Sequence, residues 1–339
     1  MSNFYANTCH EKLLKDIKPA LSYDPAVDYD QWKASVKSKF FELLGEMPQK
    51  VDLNIRVEFE REEEDFFERR IIIDVEESCS MPCHLLIPKS GKAPYPVVIC
   101  LQGHTTGMHI ALGRKVYPND DYYFRGVDNE YGLQALKQGY AVLVMEQRGF
   151  GERRTDQAKV KGSTTCDHDA KVALLFGRTL IGERVWDISR AIDMLETIPE
   201  VDKDKIAIMG LSGGGTATYY AAAFDERLKA AMPAGSVCSF DRSIGIMGHC
   251  GCNYIPNMIK SFDMGELAAL IAPRKLIVVT GDEDPIFLLD GVHKVYDVIE
   301  KIYEKEGAPA NCKMIVGQGG HRFFGELCWP EFQSFFPAK

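Results

Sequence analysis

The hydrophobic positions change their spacing three times along the chain. Trp32, Val36, Phe40 and Leu44 recur at every fourth residue, which places them on one helical face. Pro48 closes that segment, so a helical extension is expected over residues 1–50. Residues 51–60, VDLNIRVEFE, then alternate apolar and polar side chains, the pattern of a half-buried antiparallel strand. Residues 68–75 and 81–87 are strand-like as well and predict a meander at one sheet edge. Beyond them the apolar runs become short and almost uninterrupted, at 97–101, 141–145, 206–209, 230–232 and 276–279. Strands buried on both faces of a parallel sheet read this way. Helical patterns separate them: Ile188, Ala191, Ile192 and Leu195 share one face, and Val292, Val295, Tyr296, Ile299 and Ile302 another. Alternating strand and helix predicts an α/β domain over 51–339. Its sheet should be doubly wound and mostly parallel, with an antiparallel N-terminal edge.

Three stretches carry little regular pattern: 104–129, 150–182 and 239–264. The first two follow the C-terminal ends of predicted strands, the edge where open α/β sheets bind ligands. They are expected to form the walls of a pocket.

Composition narrows the function classes. The 339 residues are 45% hydrophobic and 26% charged, ordinary for a globular chain with a sizeable core. The net charge of −9 repels phosphate backbones, so nucleic acid is not an expected partner. No apolar run is long enough to cross a bilayer, and no membrane partner is expected. The first residues lack the basic start and apolar middle of a secretory leader, so the expected location is cytoplasmic. The ten cysteines are too sparse for a disulfide framework and are expected to be free thiols.

The chemistry centres on Gly210-Leu211-Ser212-Gly213-Gly214, which fits G-x-S-x-G. An apolar strand over 205–209 precedes it and an Ala/Tyr-rich helix over 216–224 follows. Strand, tight turn and helix form the setting that lifts a serine hydroxyl out of the sheet. No lysine follows, as a phosphate loop would need, and the glycine spacing of a dinucleotide loop is absent. Ser212 is therefore the candidate nucleophile, and it requires a base.

Where the order is serine, acid, histidine, only His249, His293 and His321 follow the nucleophile. His249 precedes any plausible acid strand, and His293 reads as an ordinary helix residue. His321 lies in a glycine-rich loop after the apolar strand 313–316 and is the candidate base. The acid should follow the strand 276–280, where Asp282, Glu283 and Asp284 compete. Pro285 biases Asp284 towards extended backbone, which favours it. Asp282, which can bond its own backbone, is the runner-up.

These segments resemble α/β-hydrolases related to acetylxylan esterases, cephalosporin-C deacetylases and dienelactone-hydrolase-like esterases. The resemblance rests on GLSGGG at 210–215, GDEDPIF at 281–287, GGHRFF at 319–324 and EQRGFGER at 146–153, and runs from about residue 81 to the C-terminus. It implies the α/β-hydrolase fold and a triad of Ser212, Asp284 and His321. It also implies an oxyanion hole from the backbone N–H groups of Gly213 and His104. At the second donor loop the family usually reads His-Gly-x, whereas this chain reads Leu101-Gln102-Gly103-His104. Gln102, His249 and Trp329 are the candidate pocket residues, and Arg148 is expected to pair with a carboxylate near the elbow.

The expected function is thus a serine carboxylesterase acting on short acyl esters, acetyl above all, of carbohydrates or small metabolites. It needs no cofactor and its partner is the small-molecule ester. The N-terminal helices and meander are where a homo-oligomer interface would form. The rivals are a serine peptidase of prolyl-oligopeptidase type and a non-catalytic binding protein on the same scaffold. His249-Cys250-Gly251-Cys252 invites a zinc reading, but a structural zinc needs four ligands. Cys238 is the nearest further candidate, and Cys79 and Cys83 lie in the distant meander. No metal is assigned on that ground.

Overall fold

The computed structural model describes residues 6–124, 128–161 and 164–338. Nine strands form one sheet in the order β1-β2-β3-β5-β4-β6-β7-β8-β9. They are β1 (Arg56–Glu62), β2 (Phe66–Glu76), β3 (Cys79–Pro88), β4 (Tyr95–Leu101), β5 (Ala141–Met145), β6 (Val201–Leu211), β7 (Leu228–Ala234), β8 (Lys275–Gly281) and β9 (Cys312–Gly317). β1, β2 and β3 pair antiparallel with their neighbours, and β3 joins β5 antiparallel. All remaining pairings are parallel. This is the expected α/β-hydrolase architecture with its antiparallel N-terminal edge.

The apolar strands bury alternate residues on opposite faces. Ile206 and Ile208 of β6 join one core cluster, while Ala207 and Met209 join the other. Helices cover both faces, which is why these strands read as unbroken apolar runs. On the first face lie α2 (Tyr29–Leu44), α6 (Leu180–Leu195), α7 (Gly213–Phe224) and α9 (Leu289–Lys305). On the second lie α3 (Tyr131–Lys137) and α10 (Gly325–Phe335). The remaining α-helices among the described residues are α1 (Ala6–Asp16), α4 (Asp156–Lys161), α5 (Cys166–Leu175) and α8 (Met258–Ser261). Trp32, Val36, Phe40 and Leu44 of α2 are buried as their spacing predicts, and they enter the main core directly. Asp28 caps this helix by accepting from the Gln31 N–H at 2.9 Å. Among the described residues no helix is long and apolar enough to cross a membrane.

Two expectations are corrected. Residues 51–55 are not in a strand, and β1 is not half-buried: it is the outer edge strand, exposed along most of its length. Its alternation of charged and apolar residues is that of an edge with no layer packed over it. Residues 150–182 are also more regular than expected, since they hold α4, α5 and the start of α6. The helix α5 escapes notice because its apolar residues do not mark one buried face. Leu174 and Leu175 are exposed, while Cys166, Ala170 and Ala173 are buried.

Candidate active site

β4 lies between β5 and β6: the chain steps from β4 to β5 on one side, through α3 on one face, and then crosses back over β4 to β6 on the other side, through α6 on the opposite face. Crevices form beyond the C-terminal ends of strands at such a switch point. Gly103 and His104 follow β4, and Ser212 follows β6. Both segments line one cavity of about 570 Å³, together with His249, Phe287 and His321.

The turn that carries Ser212 is tight. Ser212 has φ 58° and ψ −122°, a region that L-residues avoid and that costs on the order of 1–3 kcal/mol. The Ser212 N–H is tied back to Ala234 O at 2.8 Å, which holds the turn against β7. Glycine at 214 is required by close packing: a Cβ there would lie 2.3 Å from Leu101 O and 2.5 Å from Gln102 O. Ser212 thus heads α7, whose first N–H groups, beginning with that of Gly213, have no intrahelical acceptor. These groups and the helix dipole favour negative charge beside the serine.

His321 and Asp284 come from the loops after β9 and β8. His321 Nδ1 is bonded to Asp284 Oδ2 at 2.7 Å. Asp284 is 3% exposed, and its Oδ1 accepts the N–H groups of Ile286 and Phe287 at 2.8 and 3.1 Å. The carboxylate is therefore fixed on both oxygens. Asp282 is occupied otherwise, accepting the Gly319 N–H at 2.7 Å and clasping the β8 and β9 loops together. His321 stacks on Phe287 with centroids 5.7 Å apart. Its Nε2 is buried and has no hydrogen-bond partner among the described residues. Ser212 and His321 therefore line one cavity, with Asp284 buried behind the imidazole and the far imidazole nitrogen unengaged. Serine–histidine bonds are often open in unliganded sites and tighten when substrate arrives. His293, in contrast, lies exposed on α9.

The remaining candidates separate. His249 lines the cavity, packs its ring edge-on against Phe287 at 5.4 Å, and has Nε2 3.4 Å from Ser243 Oγ. Burial, followed by the neighbouring His104 and His321, holds its pKa below the ordinary value. Gln102 is not a cavity residue. It is fully buried beneath the loop, where Nε2 donates to Glu146 Oε1 at 2.9 Å. Trp329 is likewise corrected from pocket to core: it packs edge-on against Phe323 and Phe332, and its Nε1–H donates to Gln134 Oε1 at 2.8 Å. Arg148 does pair with carboxylates, bonding Asp187 through Nε and Nη2 and reaching Glu76 through Nη1.

Two features escaped the sequence reading. The first is Glu146, at the end of β5. Oε1 also accepts the Met108 N–H at 3.0 Å, and Oε2 accepts the Glu152 N–H at 3.3 Å. Burial pushes its pKa up to about 7. The glutamate in EQRGFGER was the signal, since an acid ending an apolar strand must be satisfied internally.

The second is a cluster of four side chains with metal-ligating atoms. His104 Nε2, Cys166 Sγ, Cys250 Sγ and Cys252 Sγ all lie within 4.8 Å of one another. His104, not His249, brings the imidazole to this cluster, and its third sulfur is that of Cys166 of α5 rather than Cys238.

The sequence model of the Abhydrolase family matches residues 4–318. The chain belongs to the Abhydrolase family. The YtaP protein of Bacillus subtilis is 25% identical over 292 residues, spanning 85% of this chain and 94% of that protein. Among solved structures, the Bacteroides fragilis protein BF1801 superimposes with a TM-score of 0.79 at 16% identity, covering 100% of this chain and 90% of that one. The glucuronoyl esterase from Solibacter usitatus gives a TM-score of 0.70 at 17% identity, covering 96% of this chain and 99% of that one. At such identities the structural likeness describes the fold.

Proposed function

We propose that this protein is a serine carboxylesterase that hydrolyses short acyl esters, acetyl above all, of carbohydrates or small metabolites. The observation that carries the reading is the Ser212 turn sharing its cavity with His321, whose Nδ1 is bonded to buried Asp284. That bond sets the tautomer: the carboxylate accepts from Nδ1–H, which leaves Nε2 as a lone-pair base. Nε2 takes the Ser212 proton as Oγ attacks the ester carbonyl. The carbonyl π electrons move to oxygen, and the Gly213 and His104 N–H groups receive the oxyanion. The imidazolium then protonates the departing alcohol. Water, deprotonated by Nε2, hydrolyses the acyl-serine and regenerates the hydroxyl. Asp284 stabilises the imidazolium and takes no proton.

A cavity of about 570 Å³ is far larger than an acetyl group, so it has room for a sugar or similar alcohol beside the acyl carbon. The glucuronoyl esterase among the structural neighbours is named for an ester whose sugar lies on the acid side. Turnover of p-nitrophenyl acetate, acetylated xylose and a methyl glucuronate therefore tests the proposal. Acetyl esters should be cleaved with the higher kcat/KM, and Ser212→Ala should abolish turnover without changing the melting temperature. Preference for the glucuronate would move the sugar to the acid side. Activity retained in Ser212→Ala would overturn the mechanism. All nine strands belong to one sheet, so the described residues contain no blade of the propeller that a prolyl-oligopeptidase-type rival would carry.

A further inference from the structure

The cluster around His104 joins three distant parts of the chain: the loop after β4, the first turn of α5, and the 250–252 segment at the cavity wall. His104 Nε2 is 3.2 Å from Cys252 Sγ and 3.7 Å from Cys166 Sγ, and the sulfurs of Cys166 and Cys250 are 3.1 Å apart. A tetrahedral zinc bound to thiolates and imidazole has ligand atoms about 3.5–3.8 Å apart. The three separations lie within about 0.7 Å of that spacing and no pair is more than 4.8 Å apart, so side-chain adjustment on the order of an ångström closes the tetrahedron.

We propose that His104, Cys166, Cys250 and Cys252 bind one zinc ion as a closed structural site. Four protein ligands fill the tetrahedron, so no position remains for water and the ion has no part in the ester chemistry. Charge supports the assignment. Three thiolates and one neutral imidazole around Zn²⁺ leave a net charge of −1. The guanidinium of Arg184, 1% exposed, lies with Nη2 3.1 Å from Cys166 Sγ and supplies the compensating positive charge. The backbone is braced for the same purpose: the Gly251 N–H, between the two 250–252 cysteines, donates to Asp167 Oδ1 at 3.0 Å. That aspartate directly follows Cys166, so two ligand-bearing segments are clasped without the metal.

A disulfide is the competing use of these sulfurs. It would consume two of them and leave the third cysteine and the imidazole without a role. The metal uses all four.

The consequence for the enzyme is positional. The His104 ring also sits against the nucleophile turn: a Cβ on Gly213 would lie 2.7 Å from His104 Cε1. Anchoring the ring fixes the backbone of the loop after β4, whose His104 N–H is the proposed second oxyanion donor. It also holds the 249–252 wall beside the cavity.

Elemental analysis of the full chain, purified untagged under reducing conditions, tests the proposal. The expected result is about one zinc per chain. Cys250→Ser and Cys166→Ser should both lower that stoichiometry severalfold. Replacing zinc by cobalt in the wild-type chain should give the visible bands of a tetrahedral thiolate site, a readout that does not depend on any variant folding. The proposal is overturned if the reduced wild-type protein contains no zinc and takes none up. A Cys166–Cys250 disulfide found by mass spectrometry of the freshly purified protein would overturn it too. Each of these measurements is independent of esterase turnover.

Discussion

Glu146 makes the stability of this protein depend on pH in a calculable way. Its carboxyl is buried, and burial raises its pKa from 4.5 to about 7. The folded state therefore holds the proton over a range where the unfolded chain has lost it. Stability from this group is fully present below the unfolded value of 4.5 and is lost as pH rises through about 7. At about 1.4 kcal/mol for each pH unit, the whole difference is about 3 kcal/mol, most of it lost between about pH 5 and 8. Glu146→Gln removes the titration and keeps an oxygen to accept from Gln102 Nε2 and the Met108 N–H. Other buried carboxyls are also raised, Asp263 to about 6 among them, but they are common to both proteins and cancel in the difference. Urea unfolding of both proteins from pH 5 to 8 is the assay. The wild type should lose about 2–3 kcal/mol more than the variant over that interval. Parallel stability curves would show that Glu146 does not retain its proton in the folded state, and the reasoning would fail.

Further outcomes follow from the same geometry. Asp284→Asn should keep the fold and lower kcat by about 10⁴, because the amide no longer holds the Nδ1–H tautomer; a loss below about tenfold in a steady-state assay would return the orienting role to another group. Gly214→Ala should lower stability by about 1–3 kcal/mol in a thermal melt, since its Cβ meets the Leu101 and Gln102 carbonyls. An unchanged melting temperature would mean that α7 can move away from β4 freely. Trp329→Phe should cost about 1 kcal/mol for the lost bond to Gln134 and leave kcat/KM within about twofold; a large kinetic effect would place Trp329 in the pocket after all.

What could be read from the sequence was whatever repeats locally. β5 spans the residues its apolar run predicts, and α9 buries the face its period predicts. The turn at Ser212 was legible because strand, glycines and helix are adjacent. Asp284 was separable from Asp282 through the proline that follows it, and the structure gives the two carboxylates different partners. Contacts between distant segments were not legible. Cys166 is 62 residues from His104 and 84 from Cys250, and nothing local to any of them signals that they meet. Trp329 was misplaced for a related reason. Proximity in sequence to His321 suggests the pocket, but α10 turns the indole into the core between Phe323 and Phe332. β1 misled in another way, since apolar–polar alternation marks a sheet face and does not say whether anything covers it.

Every step of the proposed hydrolysis depends on Ser212 being an activated nucleophile. Incubation with a fluorophosphonate, followed by intact-mass measurement and peptide mapping, addresses that directly. One adduct per chain, located on Ser212 and slowed severely in His321→Ala, is the predicted result. A wild-type chain that stays unlabelled, or that carries the label on another residue, would contradict it.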